Sequence, residues 1–149
     1  MFNWYTLEDD KGFAGMKADT TIDVCDSFAS EGGINPGEPV IRGTDKAKQV
    51  KTATESDIDK IIGVAVHTHK DIPDSGKYFE DGYCLSVMTF GDIYVVAGGD
   101  VEAGNSVTIS INSEGEIVFV AGTIGGKIEG FTFLDNGSEG DIVRLRIRK

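Results

Sequence analysis

The two histidines of the chain, His67 and His69, lie two residues apart, and Asp71 continues the same spacing. On a β-strand these side chains share one face, so a His-x-His pattern could place two zinc ligands together. A metal site also needs a third and a fourth ligand, and no motif in the sequence supplies them. We therefore expect exposed histidines at the end of a strand, with no metal and no cofactor.

Nucleophilic chemistry is also poorly supported. Cys25 and Cys84 are far apart, belong to no CxxC pair and have no identifiable base, and no Gly-x-Ser-x-Gly motif occurs. Residues 122–127 lack the spacing of a phosphate-binding loop, and no helix pattern follows them. We expect two small buried thiols, with a disulfide or a thiol nucleophile as the alternatives, and no catalytic residues.

Charge gives a second set of candidates. The chain has 149 residues and a formal net charge of −11, which disfavours a nucleic-acid partner because such a protein must bring a basic surface to phosphates. Against this acidity, Arg144, Arg146 and Arg148 alternate with apolar residues and share one strand face. These arginines either bind carboxylates of a partner or protect a solvated edge strand from aggregation.

The N-terminal residues 1–20 are predicted to be an extended arm, followed by a single β-barrel-like domain over 21–149. The aromatic residues Phe2, Trp4 and Tyr5 open the arm without any helical period. They must be buried either on the barrel of the same chain or on a neighbouring subunit. The start has no secretion signal, and no apolar run is long enough to cross a membrane, so we expect a cytosolic site of synthesis.

The elements that position these residues are short strands separated by glycine turns. Two hairpins are predicted, one turning at Phe90-Gly91-Asp92 and one at residues 112–115. One short helix is predicted at 55–62, with Ser56 as its cap. The other predicted strands span 39–42, 47–52, 61–67, 127–134 and 142–148. This pattern predicts an all-β fold, a small Gly-rich barrel or sandwich.

A short unit recurs three times: an apolar residue, a glycine three positions later, and an apolar residue after three more positions. Its glycines are Gly37, Gly82 and Gly104. Each glycine supplies the positive φ that a tight turn needs, and the flanking apolar residues hold both limbs in one core. The recurrence indicates either a Gly-cornered barrel or the general similarity of hairpin turns.

These features together resemble the structural cement family of tailed bacteriophages, over about residues 12 to 149. The most telling part is a Gly-x-Ile-x-Val-x-Ala-x-Gly-x-Val-x-Ala-Gly-x-x-Val run at residues 91–107. The other matching pieces, in order, are Gly15-Met16-Lys17-Ala18-Asp19, residues 34–43 with their Arg-Gly ending, Gly63-Val64-Ala65, and the C-terminal strand at 141–147.

The resemblance implies a non-enzymatic capsid decoration protein that binds the outer surface of the phage head and stabilises the lattice. It implies the major capsid protein as partner, synthesis in the host cytoplasm, and no nucleic acid or membrane partner. A homo-oligomer is expected, a trimer rather than a dimer. For docking we predict Phe2, Trp4 and Tyr5 of the arm, together with the three arginines.

A head-fibre or carbohydrate-binding adhesion module is the alternative function. Such a module needs an exposed aromatic platform, for which Tyr78, Phe79 and Tyr83 are the candidates. A core role for these rings competes with that reading. A small-molecule enzyme would need a convergent polar pocket, which the sequence does not show.

Overall fold

A computed structural model describes residues 12–71, 73, 76–123 and 126–149. Within these residues the chain is almost entirely β, as predicted. The strands are β1 (Val24–Ser30), β2 (Pro39–Arg42), β3 (Gln49–Thr52), β4 (Gly63–Ala65), β5 (Cys84–Val96), β6 (Val107–Ile111), β7 (Ile117–Ala121), β8 (Phe131–Phe133) and β9 (Ile142–Arg148). A 3-10 helix, Glu55–Lys60, lies between β3 and β4. In the part of the chain described, no helix is long and apolar enough to span a membrane.

The first five strands close into a barrel, which we call barrel 1. Its strands follow the order β1-β3-β2-β4-β5, and β5 pairs again with β1 to complete the ring. The pairing of β1 with β3 is parallel, and every other pairing in this ring is antiparallel. Closure leaves no open strand edge in this ring.

The last four strands and the second half of β5 form another ring, barrel 2. β5 pairs with β9, β9 with β8, and β6 with β7, all antiparallel. An antiparallel bridge between Ser106 and Thr132 joins β6 to β8. A parallel bridge between Ala97 and Phe119 joins the end of β5 to β7. The 13-residue strand β5 is therefore common to both barrels.

Barrel 2 repeats the strand pairing of barrel 1. The equivalent strands, with the barrel 1 member first, are β1 and the second half of β5, β2 and β6, β3 and β7, β4 and β8, and the first half of β5 and β9. In both rings the first and third strands are joined in parallel and the remaining neighbours are antiparallel. The fold is thus an internal duplication of one five-stranded unit.

The turns repeat with the strands. Gly37 and Gly82 in barrel 1 have φ of 83° and 82°, and Gly104 in barrel 2 has φ of 91°. A fourth turn, which the sequence pattern missed, lies at Gly140, with φ of 86°. In each turn the residue after the glycine donates its N–H to the carbonyl three positions earlier, as in type II turns. The fourth turn escaped the pattern because Gly137 occupies its first apolar position.

The turns also bond to the barrels in matching ways. The Gly37 N–H donates to the Ala65 carbonyl at the end of β4, and the Gly104 N–H donates to the Phe133 carbonyl at the end of β8, both at 2.8 Å. In barrel 1 an antiparallel bridge joins Ile34 and Phe79, which are the first residues of the two turn units. Val101 and Gly137 form the corresponding bridge in barrel 2.

Two apolar clusters fill the fold. The interior of barrel 1 contains eight buried residues: Phe28, Ile34, Val40, Val50, Ala65, Phe79, Leu85 and Val87. The larger cluster fills barrel 2 and extends to outward residues of barrel 1, including Ile41, Val64 and Met88. Adjacent residues such as Val40 and Ile41 are therefore both buried, on opposite faces of β2. The apolar side chains of barrel 1 thus contribute to two separate clusters, one inside the barrel and one on its outer face.

Three elements differ in kind from the sequence-based prediction. The predicted hairpin at Phe90-Gly91-Asp92 is wrong: β5 runs through it, and Gly91 has φ of 138° at the point where the strand changes partners. The predicted helix is a 3-10 helix, and Thr54 rather than Ser56 is its N-cap, because its side chain and Asp57 form a capping box. The strand β1 was not predicted.

Candidate docking surfaces

The arginine side chains of β9 form a row on the outer face of barrel 2. The intervening residues Val143, Leu145 and Ile147 are fully buried, which confirms the predicted alternation. Across the β5–β9 ladder, Arg144, Arg146 and Arg148 are Cα partners of Tyr94, Asp92 and Phe90. β9 lies between β5 and β8, so the alternative of a solvated edge strand is wrong.

Asp92 is the carboxylate at the centre of this row. Its side chain is completely buried, and it accepts hydrogen bonds from Arg146 Nε at 2.9 Å and Arg146 Nη2 at 3.0 Å. Arg148 Nη2 lies 3.6 Å from the same carboxylate. The hydrogen bonds from Arg146 lower the pKa of Asp92, against the opposing effect of burial.

The other arginines also have partners within the chain. Arg144 donates from Nε and Nη2 to Asp135 Oδ1, at 3.0 and 2.8 Å, and this contact raises the pKa of Arg144. The Arg148 guanidinium lies 4.5 Å from the centre of the Phe90 ring. The three side chains remain 35–40% exposed. The row therefore presents three guanidinium groups that already interact with two carboxylates of this chain, Asp92 and Asp135.

The segment that leads from the arm into β1, residues 12–24, is called the root. It lies along the edge of β5 opposite the edge that pairs with β9. Gly15 donates its N–H to the Tyr94 carbonyl at 2.8 Å, and Ala18 donates to the Asp92 carbonyl at 3.0 Å. The predicted arm is thus attached to β5 from residue 15 onward. Phe2, Trp4 and Tyr5 lie outside the described residues.

The root exposes large apolar side chains. Ile22 is 80% exposed, and three neighbours along the chain are 38–50% exposed: Phe13, Met16 and Val24. Elsewhere in the described residues, Tyr83 and Ile111 are the other large hydrophobic residues that are exposed. Exposed apolar side chains concentrated in one segment are typical of an interaction surface.

A row of rings runs from the root to the turn at Gly82. Phe13 packs on His67 with ring centroids 4.4 Å apart, and His67 lies 5.1 Å from Tyr78. Tyr78 contacts the buried Phe79, which lies 6.0 Å from Tyr83. Burial, and to a smaller extent His69, lowers the pKa of His67. Of the rings predicted from the sequence, Tyr83 is exposed, Tyr78 is partly buried against the barrel 1 cluster, and Phe79 belongs to the core.

The described residues contain no cluster of three or more His, Cys, Asp or Glu side chains that could hold a metal ion. Cys25 and Cys84 are free thiols, but only Cys25 is partly buried; Cys84 is exposed, so the expectation of two buried thiols is wrong.

A groove of about 660 Å³ lies between the turn at Gly37 and the β6–β7 hairpin. No His or Cys occurs among the described residues that line it. Its carboxylate Glu38 accepts a hydrogen bond from Thr52 Oγ1 at 2.7 Å.

Comparison with solved structures first concerns the fold alone. The fold matches a chain of the capsid of Myoviridae phage XM1 with a TM-score of 0.67 and 15% identity, covering 100% of this chain and 98% of that one. A weaker match is the base of the head fibre gp8.5 of bacteriophage phi29, with a TM-score of 0.47, 14% identity, and coverage of 85% and 95%. No curated protein sequence matches this chain.

The family model of the structural cement proteins (E217 gp24/Pam3 gp6) matches residues 3–148. The chain belongs to this family of phage structural cement proteins, and it is a structural protein of the virion capsid. The match begins well before residue 12, so it includes Trp4 and Tyr5, which the resemblance seen in the sequence had left outside.

Proposed function

We propose that the protein binds the outer surface of the assembled head, with the major capsid protein as its partner, and docks through the arm and its root. The observation that carries this proposal is the concentration of exposed apolar residues at the root, with Ile22 80% exposed. Aromatic side chains such as Phe2, Trp4 and Tyr5 make effective contacts when an interface buries them. The proposed role involves no catalysis, nucleic acid or membrane.

Such a protein stabilises a capsid by binding the assembled lattice more tightly than free subunits. Binding energy that exists only in the assembled state shifts the equilibrium toward that state. We further propose that the protein is made in the host cytoplasm and acts as a homo-oligomer, a trimer rather than a dimer. An oligomer multiplies weak contacts into high avidity.

The role proposed here for the arginine row differs from the one expected from the sequence, in which the arginines bind carboxylates of a partner. Because Asp92 and Asp135 already bind Arg146 and Arg144, a partner would contact the exposed guanidinium faces rather than supply the primary carboxylates. The row and the root flank the same segment of β5. We therefore include both in one proposed docking face.

The test of the proposal is to delete residues 1–11 and to measure binding to empty heads by co-sedimentation. We expect the shortened protein to fold and to unfold at the same temperature as the full-length protein. We expect it to lose most of its binding to heads. Ile22→Asn should weaken binding as well, while Ile111→Asn, at a residue 49% exposed on the β6–β7 hairpin, is the matched control. Full binding by the deleted protein would refute docking through the arm.

The adhesion alternative is not favoured by the aromatic surface. The Lys70 ammonium lies 5.1 Å from the centre of the Tyr78 ring and 4.6 Å from that of Tyr83. It covers one face of each ring, so the two tyrosines do not form an open platform for a sugar. A strong, saturable signal on a glycan array would revive this alternative.

A further inference from the structure

Because the two barrels repeat one unit, equivalent residues of the four glycine turns can be compared directly. In three of the four turns, the side chain after the glycine accepts a hydrogen bond from the backbone N–H three residues earlier. Glu38, Asn105 and Asp141 do this, at 3.2, 2.9 and 2.8 Å. In the turn at Gly82 the same position is Tyr83, whose side chain has no carboxylate or amide.

Tyr83 is therefore not the residue that the turn geometry favours. Its side chain is exposed on the barrel 1 surface, with 41% of the residue accessible, although it is large and mostly apolar. The residue at the equivalent position of barrel 2 is the self-capping Asp141. Because the two turns share one backbone design, the turn itself does not require a tyrosine; within the chain, the Tyr83 ring contacts Phe79 and Lys70.

The surroundings of Tyr83 are acidic. Glu80 and Asp81 belong to the same turn and are exposed. The Asp81 carboxylate accepts the Gly32 N–H at 2.9 Å, which brings the turn beside Glu31, whose own carboxylate binds Thr44. The Lys70 ammonium, which lies 4.6 Å from the centre of the Tyr83 ring, donates to the carbonyl oxygens of Tyr78 and Asp71, at 2.7 and 3.0 Å.

We propose that the turn at Gly82 is a second contact with the capsid partner, in which Tyr83 and the carboxylates of Glu80 and Asp81 receive a basic patch of that protein. A Lys or Arg side chain fits this surface, because a carboxylate binds its charged head and the exposed part of Tyr83 can pack on its alkyl stem. The net charge of −11 favours a partner surface of the opposite sign. This inference rests on the proposed function and adds the chemistry of the partner.

The duplication also supplies a conservative substitution. Tyr83→Asn introduces the residue type that caps the turn at Gly104, so the turn should remain folded while the ring is lost. We expect head binding to weaken about tenfold, as for the loss of one interface aromatic residue. Tyr83→Phe should retain most of the affinity, and Ile111→Asn serves as the control for removal of an exposed apolar side chain.

The sign of the partner's charge is tested by Glu80→Lys. Against a basic patch this change should weaken binding by about tenfold or more, through like-charge repulsion. Glu139→Lys, in the matching turn of barrel 2, makes the same change in net charge at another place and should alter binding less than about threefold.

The outcomes separate this inference from the proposed function. If the unmodified protein does not bind heads, the proposed function is wrong and this inference fails with it. If the unmodified protein binds and Tyr83→Asn binds equally well, the turn is not a contact, although the function stands. If Tyr83→Asn weakens binding but Glu80→Lys strengthens it, the partner surface is not basic and the proposal is overturned.

Discussion

Asp92 on β5 and Arg146 on β9 are Cα partners across the ladder and form a two-point contact, with N···O distances of 2.9 and 3.0 Å. The Asp92 side chain is fully buried, while that of Arg146 is 40% exposed. The pair thus joins the shared strand of the two barrels to the last strand of the fold.

We expect Asp92→Asn to lower the free energy of unfolding by about 1–3 kcal/mol, because it removes the buried acceptor of charge-assisted hydrogen bonds. The exposed arginines can regain water, which limits the cost. Urea unfolding measures the change. Asp100→Asn, at an exposed loop position, is the control and should shift stability by less than about 0.5 kcal/mol. Equal effects of the two substitutions would show that the contact is not stabilising.

The same contact predicts a pH dependence. The bonds from Arg146 hold the pKa of Asp92 below its ordinary value of 3.8, so the carboxylate stabilises the fold fully above that value. This stabilisation is lost as the pH falls through the lowered pKa of the folded state. The stability difference between the unmodified protein and Asp92→Asn should therefore be largest near about pH 6 and shrink below about pH 3. A difference independent of pH would contradict this assignment.

The turn glycines predict a graded series of stability losses. Gly82 and Gly104 have positive φ but open space where a Cβ would lie, so alanine there should cost about 1–2 kcal/mol from backbone conformation alone. At Gly37 a Cβ would also lie 2.7 Å from the Ala14 Cβ. Gly37→Ala should therefore be the most damaging of the three in thermal unfolding. Equal losses at all three sites would argue against the close approach of Ala14.

The two free thiols should react at different rates. Cys84 is exposed, whereas Cys25 is partly buried and its pKa is raised, chiefly by that burial. A thiol reagent should label the folded protein in a fast phase and a slower phase, because the thiolate is the reactive form. Cys84→Ser should remove the fast phase. A folded protein with no reactive thiol would indicate that the two cysteines are oxidised.

The sequence identified strands where alternation or turn chemistry was strong. Strands β2 and β9 were predicted with their observed limits, and the β6–β7 hairpin was predicted with its loop. β1 was missed because its sequence, VCDSFAS, mixes polar and apolar residues, and its burial comes from partners distant in the chain. Propensity is weak where tertiary pairing decides.

The error at β5 has a similar cause. Gly91 looked like a hairpin corner, but the residues on its two sides pair with different partners, β1 and β4 before it and β9 after it. The duplication was only partly visible in the sequence, since three of its four glycine units matched the pattern and the unit at Gly140 did not. Among the candidate site residues, the alternation of the arginines was predictable from the sequence. Their pairing with Asp92 and Asp135 was not, because it depends on how β9 and its neighbours are aligned in the folded protein.

The most direct test of the account is to mix the purified protein with empty phage heads that lack it and to determine the structure of the heads by cryo-electron microscopy. We predict added β-barrel density on the outer surface, in contact with more than one capsid subunit, and heads that withstand higher temperature. Heads without added density at saturating protein, and with unchanged thermal stability, would contradict the assignment of a cement role to this chain.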